Sequence, residues 1–251
     1  MIFFDAHVHL YPGYDRDRLF DALVGHARRL APGAGRLALA LMLREGQGSL
    51  AAALAASDRP GQRWRVVRGN LGPACLMSDG AADVLVFAAR QIAARERIEL
   101  LGLMTDAPIP DGLPLQETAA RLREAGALPV LAWGLGKWLF KRGRIIRAFL
   151  DTVRDPRDLL VCDSAMRPAF WGRPRLTALA QSRGMRLIYG SDPLPRAGDE
   201  RLAGGYASLI DGDWTDADPA AGLRRLLLDP AIAIHPAGRR HGLMATLQRV
   251  G

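Results

Sequence analysis

The stretch MIFFDAHVHL, residues 1–10, decides the fold of this chain. Its alternation predicts a β-strand whose successive side chains point to opposite faces. In a regular strand Asp5, His7 and His9 share one face, and the apolar residues at positions 4, 6 and 8 share the other. Two imidazoles at this spacing suit a divalent cation, and a nearby carboxylate can orient an imidazole. The alternative is a half-buried strand whose polar side chains are satisfied by their neighbours.

Beyond this stretch, strand and helix patterns alternate along the chain. Apolar runs typical of buried strands recur at Arg36–Leu43, Trp64–Arg68, Val84–Ala89, Ile98–Met104, Leu128–Trp133, Leu159–Cys162 and Arg186–Tyr189. Amphipathic helices are predicted at Asp15–Leu30, Leu115–Ala125, Ile145–Val153, Pro174–Arg183, Pro219–Leu228 and Leu243–Val250. The runs at 84–89 and 98–104 are close enough to be adjacent strands, as in a hairpin.

Alternating strands and helices predict an α/β fold with a mostly parallel sheet. An open doubly wound sheet has a glycine-rich phosphate loop after its first strand, whereas this chain has Tyr11-Pro-Gly-Tyr14. We therefore expect a (β/α) TIM-like barrel, as a single domain over residues 1–251.

Composition indicates a globular protein with a large core, since 49% of the 251 residues are hydrophobic and 24% are charged. No apolar run approaches the ~18 residues of a membrane span, and the N-terminus lacks the form of a signal peptide. These features predict a cytoplasmic protein with no membrane partner.

The net charge of +8 is compatible with an anionic substrate. The arginines are spread along the whole chain, with no basic helix face and no aromatic-interleaved stripe, so we do not expect nucleic acid as a partner. Only two of the 34 basic residues are lysines, Lys137 and Lys141. Their rarity suggests a site that needs a compact ammonium. The oligomeric state is left open.

Polar residues cluster where predicted strands give way to loops: His7, His9, Lys137, Asp163 and Asp192. In a (β/α) barrel such positions converge on one mouth, where the chemistry of characterised members resides. The sequence therefore predicts a functional site at the carboxyl ends of the strands.

Two motifs at the ends of this region resemble the polymerase and histidinol phosphatase (PHP) family of metal-dependent phosphoesterases. These are Asp5-x-His7-x-His9 and Tyr189-Gly190-Ser191-Asp192, and the segments at 87–91, 97–103, 112–117 and 126–132 also look like the family's intervening elements. The resemblance implies a distorted seven-stranded barrel. The first motif is shared more distantly by the amidohydrolase barrels.

The chain departs from the family at three metal ligands. Gln91 stands where the family has a glutamate, Trp133 stands where it has a histidine, and Leu194 replaces the histidine that closes the last motif. By resemblance, His7, His9 and Asp192 survive as ligands. These three ligands are enough to hold one zinc, manganese or iron ion and leave some of its coordination positions open. If the site has decayed, it holds no metal.

Further roles follow for residues near the expected mouth. Asp163 could position or deprotonate a water, with a helix cap or loop ion pair as the alternative. Lys137 comes shortly after Trp133, which stands where the family has a histidine, and its ammonium could take the place of a second metal cation. The candidate catalytic residues are therefore Lys137, Asp163 and Asp192. Arg144, Arg167 and Gln91 are candidate substrate-binding residues, with solvated surface as the alternative for the two arginines.

Together these features predict a metal-dependent hydrolase acting on an anionic small molecule, with a phosphoester as the leading substrate class. Hydrolysis of an amide or lactone is a kindred possibility. The alternative is a catalytically decayed barrel that acts as a ligand-binding or regulatory protein.

Overall fold

The computed structural model describes residues 1–69, 71–134 and 136–240; the helix expected at Leu243–Val250 lies outside them. The strands in these ranges are β1 (Ile2–Val8), β2 (Arg36–Leu43), β3 (Arg65–Arg68), β4 (Ala74–Ser78), β5 (Asp83–Ala93), β6 (Glu99–Leu103), β7 (Leu128–Ala132), β8 (Leu160–Ser164), β9 (Leu187–Gly190), β10 (Tyr206–Ile210) and β11 (Ile234–Gly238). The helices are α1 (Arg16–Leu30), α2 (Leu50–Ala55), α3 (Leu115–Glu124), α4 (Phe140–Thr152), α5 (Arg175–Ser182) and α6 (Pro219–Leu228).

The described strands form one nearly closed, barrel-shaped sheet, which confirms the predicted α/β barrel. Its order is β11-β10-β1-β2-β5-β6-β7-β8-β9, with β4 pairing β5 and β3 pairing β4. The seven strands from β1 to β9 in this order surround the core. Most neighbours along them are parallel, but β6 is antiparallel to both β5 and β7. The adjacent strand pair predicted at 84–104 is thereby confirmed as the β5–β6 hairpin.

The barrel closes where β9 approaches β1. The backbone N–H of Asp192 donates to the His7 carbonyl over 2.9 Å. A Cβ atom on Gly190 would lie 2.5 Å from the His7 Cβ and 2.8 Å from its backbone nitrogen. Glycine is therefore required at this position for the two strands to come together.

Alternate residues of the seven strands fill the barrel interior, where Phe4, Phe87, Val130 and Ile188 belong to one buried cluster. Helix α6 packs against the same cluster and so covers part of the barrel interior. The opposite faces of the strands pack beneath the other helices, with α1 and α2 over one half of the sheet and α3, α4 and α5 over the other.

Strand β1 does not keep the strict alternation that its sequence predicts. Its register with β2 shifts between Asp5 and Val8. Phe4 and Ala6 lie in the interior cluster, but Val8 lies with Phe3 in the outer one. A bulge adds one residue and reverses the faces of those that follow. The expectation that positions 4, 6 and 8 share a face is therefore wrong.

Strands β10 and β11 are not among the predicted strands, because the sequence after residue 190 predicts only helices where it shows a clear pattern, at Pro219–Leu228 and Leu243–Val250. Both pair antiparallel, β10 with β1 and β11 with β10. Residues 206–210 and 234–238 are short and show little alternation, and Pro236 is characteristic of an edge strand because it has no N–H to donate. None of the described helices combines the length and apolar character that crossing a membrane requires.

We predict that Gly190→Ala lowers the free energy of unfolding by about 2–3 kcal/mol, because its methyl group overlaps backbone that cannot easily move. Chemical denaturation measures this. Gly13→Ala is the matched control, since a Cβ atom added at Gly13 would have no other atom within 4 Å. Equal stability of the two variants would contradict the close approach of β9 to β1.

Candidate metal centre

His7, His9 and Asp192 meet at the carboxyl ends of β1 and β9. One ligand atom from each lies within 4.8 Å of the others. The two Nε2 atoms are 3.2 Å apart, and Asp192 Oδ1 is 3.5 Å from His7 Nε2. Two ligands of one tetrahedral zinc lie about 3.3 Å apart at ordinary bond lengths, so these separations suit a shared ion.

Gln91 on β5 completes the cluster. Its Oε1 lies 2.9 Å from His7 Nε2, and the Gln91 side chain partly opposes the lowering of the His9 pKa. Two imidazole nitrogens, a carboxylate oxygen and an amide oxygen thus converge. A neutral imidazole nitrogen can supply at most one proton to the hydrogen bonds among these four atoms. Such a donor set fits zinc, manganese or iron. Gln91 therefore lies beside the three candidate ligands, with its uncharged oxygen against His7.

Both imidazoles are almost fully buried, at 2% and 3% exposure. Burial lowers the pKa of His9 to about 3; the charge of His7 acts in the same direction, and Asp192 opposes it. His9 is therefore neutral at physiological pH, which is the form that binds a metal.

The orientation of the Asp192 side chain is set by the conformation of its backbone and by a hydrogen bond from a neighbouring hydroxyl. It has φ of 51°, a left-handed conformation that costs energy for a residue with a side chain. Ser164 on β8 donates to Oδ2 over 3.0 Å, which leaves Oδ1 directed at His7. Strain and orientation of this kind are characteristic of functional residues.

Asp5 supports the cluster from behind and is not directed at an imidazole. Its carboxylate accepts hydrogen bonds from the backbone N–H groups of His7, Ser191 and Gly204, and from the Ser191 hydroxyl. Burial raises the pKa of Asp5 to about 6, and these hydrogen bonds oppose the rise. The expectation that Asp5 orients an imidazole through its side chain is therefore corrected, because Asp5 lies between the interior residues Phe4 and Ala6 and so faces outward, and the register shift comes after it.

An aromatic and cationic group at the mouth was missed by sequence reasoning. Tyr11 stacks on His9 with ring centroids 5.0 Å apart, and the Arg44 guanidinium lies over Tyr11 at 5.1 Å. Arg44 directly follows β2, and its position after a buried strand was the signal that could have identified it. Its exposed guanidinium is a cation beside the candidate metal centre.

Lys137 does not join the cluster of candidate ligands. Its ammonium pairs with Glu99, which begins β6. Arg144 is exposed on α4, and within the described ranges its side chain makes no hydrogen bond or ion pair. The pairing with Glu99 neutralises Lys137, and Glu99 acts electrostatically on Tyr11, which stacks on His9. In the described part of the chain, neither Lys137 nor Arg144 forms a hydrogen bond or ion pair with His7, His9 or Asp192.

Asp163 and Arg167 form a buried ion pair on the outer side of the sheet. Nε and Nη2 of Arg167 donate to the two Asp163 oxygens over 2.6 Å each, and the Tyr206 hydroxyl donates to Oδ2 over 2.9 Å. The neighbouring Cys162 lies in the barrel interior, so Asp163 points away from it. This arrangement matches the ion-pair alternative considered for Asp163 rather than a water-activating role.

Comparison with known proteins finds similarity only at the level of structure. No family model matches the sequence, and no curated protein matches it. PsfC from Pseudomonas syringae PB-5123 superposes with a TM-score of 0.55 at 13% identity, covering 99% of this chain and 94% of PsfC.

The lesion-specific endonuclease PfuEndoQ from Pyrococcus furiosus superposes with a TM-score of 0.50 at 12% identity, covering 92% of this chain and 57% of the endonuclease. A complex of Endonuclease Q with a 27-mer duplex substrate containing an abasic lesion superposes with a TM-score of 0.44 at 10% identity, covering 90% of this chain and 55% of the endonuclease. This chain therefore spans a little over half the length of the endonuclease. The similarity supports a PHP-like barrel at the level of the fold.

The expectation that nucleic acid is not a partner is overturned by this comparison, because a barrel of the same fold belongs to an endonuclease. The expectation relied on arginines being scattered along the sequence. Folding brings residues distant in sequence together, so their spacing along the chain does not describe the surface charge.

We predict that Asp5→Asn lowers the free energy of unfolding by about 3 kcal/mol, since the amide offers one acceptor oxygen and sets a donor against buried N–H groups. Chemical denaturation measures the loss. Asp83→Asn, at an exposed position on β5, is the control and should be close to wild type. An Asp5→Asn protein as stable as this control would contradict the role of Asp5.

Proposed function

We propose that this protein is a metal-dependent hydrolase that acts on a phosphoester with one divalent ion held by His7, His9 and Asp192. The observation that carries the proposal is the convergence of these three ligand atoms within 4.8 Å. Their mutual distances, the neutral state of His9 and the orientation of Asp192 all suit a metal.

When bound there, a divalent ion supplies Lewis acidity, which polarises a phosphoryl oxygen and lowers the pKa of a water. The protein's own residues position the reaction. Ser164 holds Asp192, the Asp5 hydrogen bonds fix the turn that carries Asp192, and Gln91 presents an uncharged oxygen to His7. Three protein ligands leave open positions for substrate and water.

Arg44 is the cation that we propose meets the anionic group of the substrate. Its contact with Tyr11 holds the guanidinium near His9. Among the residues that the structure describes, its side chain makes no hydrogen bond or ion pair, so its donors can form paired hydrogen bonds with phosphate oxygens. Lys137 is a weaker candidate because Glu99 already neutralises it.

The substrate can be a phosphomonoester or the phosphodiester backbone of nucleic acid. Fold similarity to a lesion-specific endonuclease supports including the second class. The net charge of +8 suits either. Activity assays should therefore compare a panel of phosphomonoesters with duplex DNA that contains abasic or deaminated sites.

We predict that the purified protein binds about one zinc, manganese or iron ion per chain, measured by elemental analysis after dialysis. His7→Ala should lose this metal, because the ion would retain too few ligands. His235→Ala is the matched control, since His235 is exposed on β11. No metal in the wild type, or equal metal in both variants, would favour the decayed, ligand-binding alternative.

We predict that Arg44→Ala raises KM for the preferred phosphoester by about tenfold or more with a smaller change in kcat, since a charge-assisted contact to substrate is lost. Asp192→Asn should instead lower kcat. Steady-state kinetics with Arg147→Ala, an exposed arginine of α4, provides the control. An unchanged KM in Arg44→Ala would exclude Arg44 as the substrate-binding cation.

A further inference from the structure

A second polar cavity lies outside the barrel, between α5 and strands β9, β10 and β11. Its volume is about 450 Å³, which is within the range of sites that bind small molecules. Asp163, Tyr189 and Tyr206 line it. Asp163 and Tyr189 lie on the outer faces of β8 and β9, since the residues that precede them, Cys162 and Ile188, belong to the interior cluster. The Tyr206 hydroxyl reaches the same side, because it donates to Asp163. The cavity is therefore separate from the candidate metal centre.

Four arginines line this cavity: Arg167, Arg173, Arg239 and Arg240. Among its lining residues in the described ranges, Asp163 is the single acidic group, and Arg167 already neutralises it. Three guanidinium charges are left without a carboxylate in the lining. Like charges gathered in this way repel, and a bound anion removes the repulsion.

Two of the guanidiniums are held in fixed positions by the loop after β8. Arg167 donates through Nη1 to the carbonyls of Trp171 and Gly172. Arg240 donates to the carbonyls of Pro168, Ala169 and Trp171. A guanidinium has five N–H donors, so Arg240 keeps two for a ligand. Both groups are therefore oriented in advance of binding, and Arg240 is the one whose charge is not already paired with Asp163.

The other two arginines have no such structural explanation. Arg173 and Arg239 are exposed, and in the part of the chain that the structure describes their side chains make no hydrogen bond or ion pair. They lie at the same cavity although they are 66 positions apart in the sequence. Hydrogen bonding to the loop after β8 therefore explains why Arg167 and Arg240 lie here, but it does not explain Arg173 and Arg239.

Neutral donors accompany the arginines. Burial raises the pKa of Tyr189, and Asp163 raises it further, so its hydroxyl remains protonated and can donate. Thr177 lines the cavity from the first turn of α5, which has no side-chain cap for its N-terminal N–H groups. Uncapped amides at a helix N-terminus favour an anion.

We propose that this outer cavity binds a phosphate group of a small ligand, independently of the metal centre. The three guanidiniums that are not paired with Asp163, together with a phenol, provide more donors than a carboxylate can accept, whereas a phosphate dianion has three or four acceptor oxygens. The volume leaves room for an organic group attached to the phosphate. A phosphate of a nucleic-acid backbone has the same chemistry but one negative charge, so the excess of cations favours a monoester.

Isothermal titration calorimetry with inorganic phosphate tests the proposal. The wild type should bind phosphate, and Arg173→Gln and Arg239→Gln should each weaken binding by about tenfold. Tyr189→Phe should weaken it less. Arg29→Gln, an exposed arginine at the end of α1, should bind as the wild type does. Because the altered arginines are exposed, the variants should fold normally, and circular dichroism checks this.

His7→Ala separates this site from the metal centre: phosphate binding should survive in it even though the proposed hydrolase activity is lost. Loss of binding in His7→Ala would place the phosphate at the mouth and overturn the proposal. The proposal would also be overturned if the wild type did not bind phosphate, or if the Arg173→Gln/Arg239→Gln double variant bound phosphate as tightly as the wild type. A short DNA duplex that displaces phosphate more strongly than a phosphomonoester would assign the cavity to nucleic acid instead.

Discussion

The site depends on the hydrogen bonds that the buried carboxylate of Asp5 accepts. This carboxylate accepts hydrogen bonds from Ser191, which lies 186 residues away in the sequence, and from Gly204. An unpaired carboxylate at this depth would be very costly, so the turn after β9 and the loop before β10 must both close against β1. This requirement brings Asp192 to the two imidazoles, while Gly190 allows the backbones to approach closely enough.

Much of the barrel could be predicted from the sequence because buried strands are continuous apolar runs, which local pattern reveals. Strands β10 and β11 could not, since their short segments are stabilised by antiparallel pairing at the sheet edge rather than by their own alternation. The bulge in β1 was also beyond prediction. The register shift depends on how β1 pairs with β2, and nothing in residues 1–10 shows where an extra residue is accommodated.

The same limit explains which site residues could be found. His7, His9 and Asp192 were predicted from motifs at strand ends, and the structure brings them together. Asp163 also follows a predicted strand, yet in the structure it lies within β8, whose alternation turns it outward, where Arg167 and Tyr206 satisfy it. Arg44 was missed because its role depends on Tyr11. Arginines that appear scattered in the sequence lie side by side at the outer cavity, so linear spacing is a poor guide to charge.

The central claim is that His7, His9 and Asp192 bind the same ion. Crystals soaked in zinc or manganese and measured at the absorption edge of the metal would test it most directly. The account predicts one strong anomalous peak per chain, with both Nε2 atoms and an Asp192 oxygen at about 2.0–2.2 Å. A peak elsewhere in the molecule, or none at this cluster in fully loaded crystals, would contradict it.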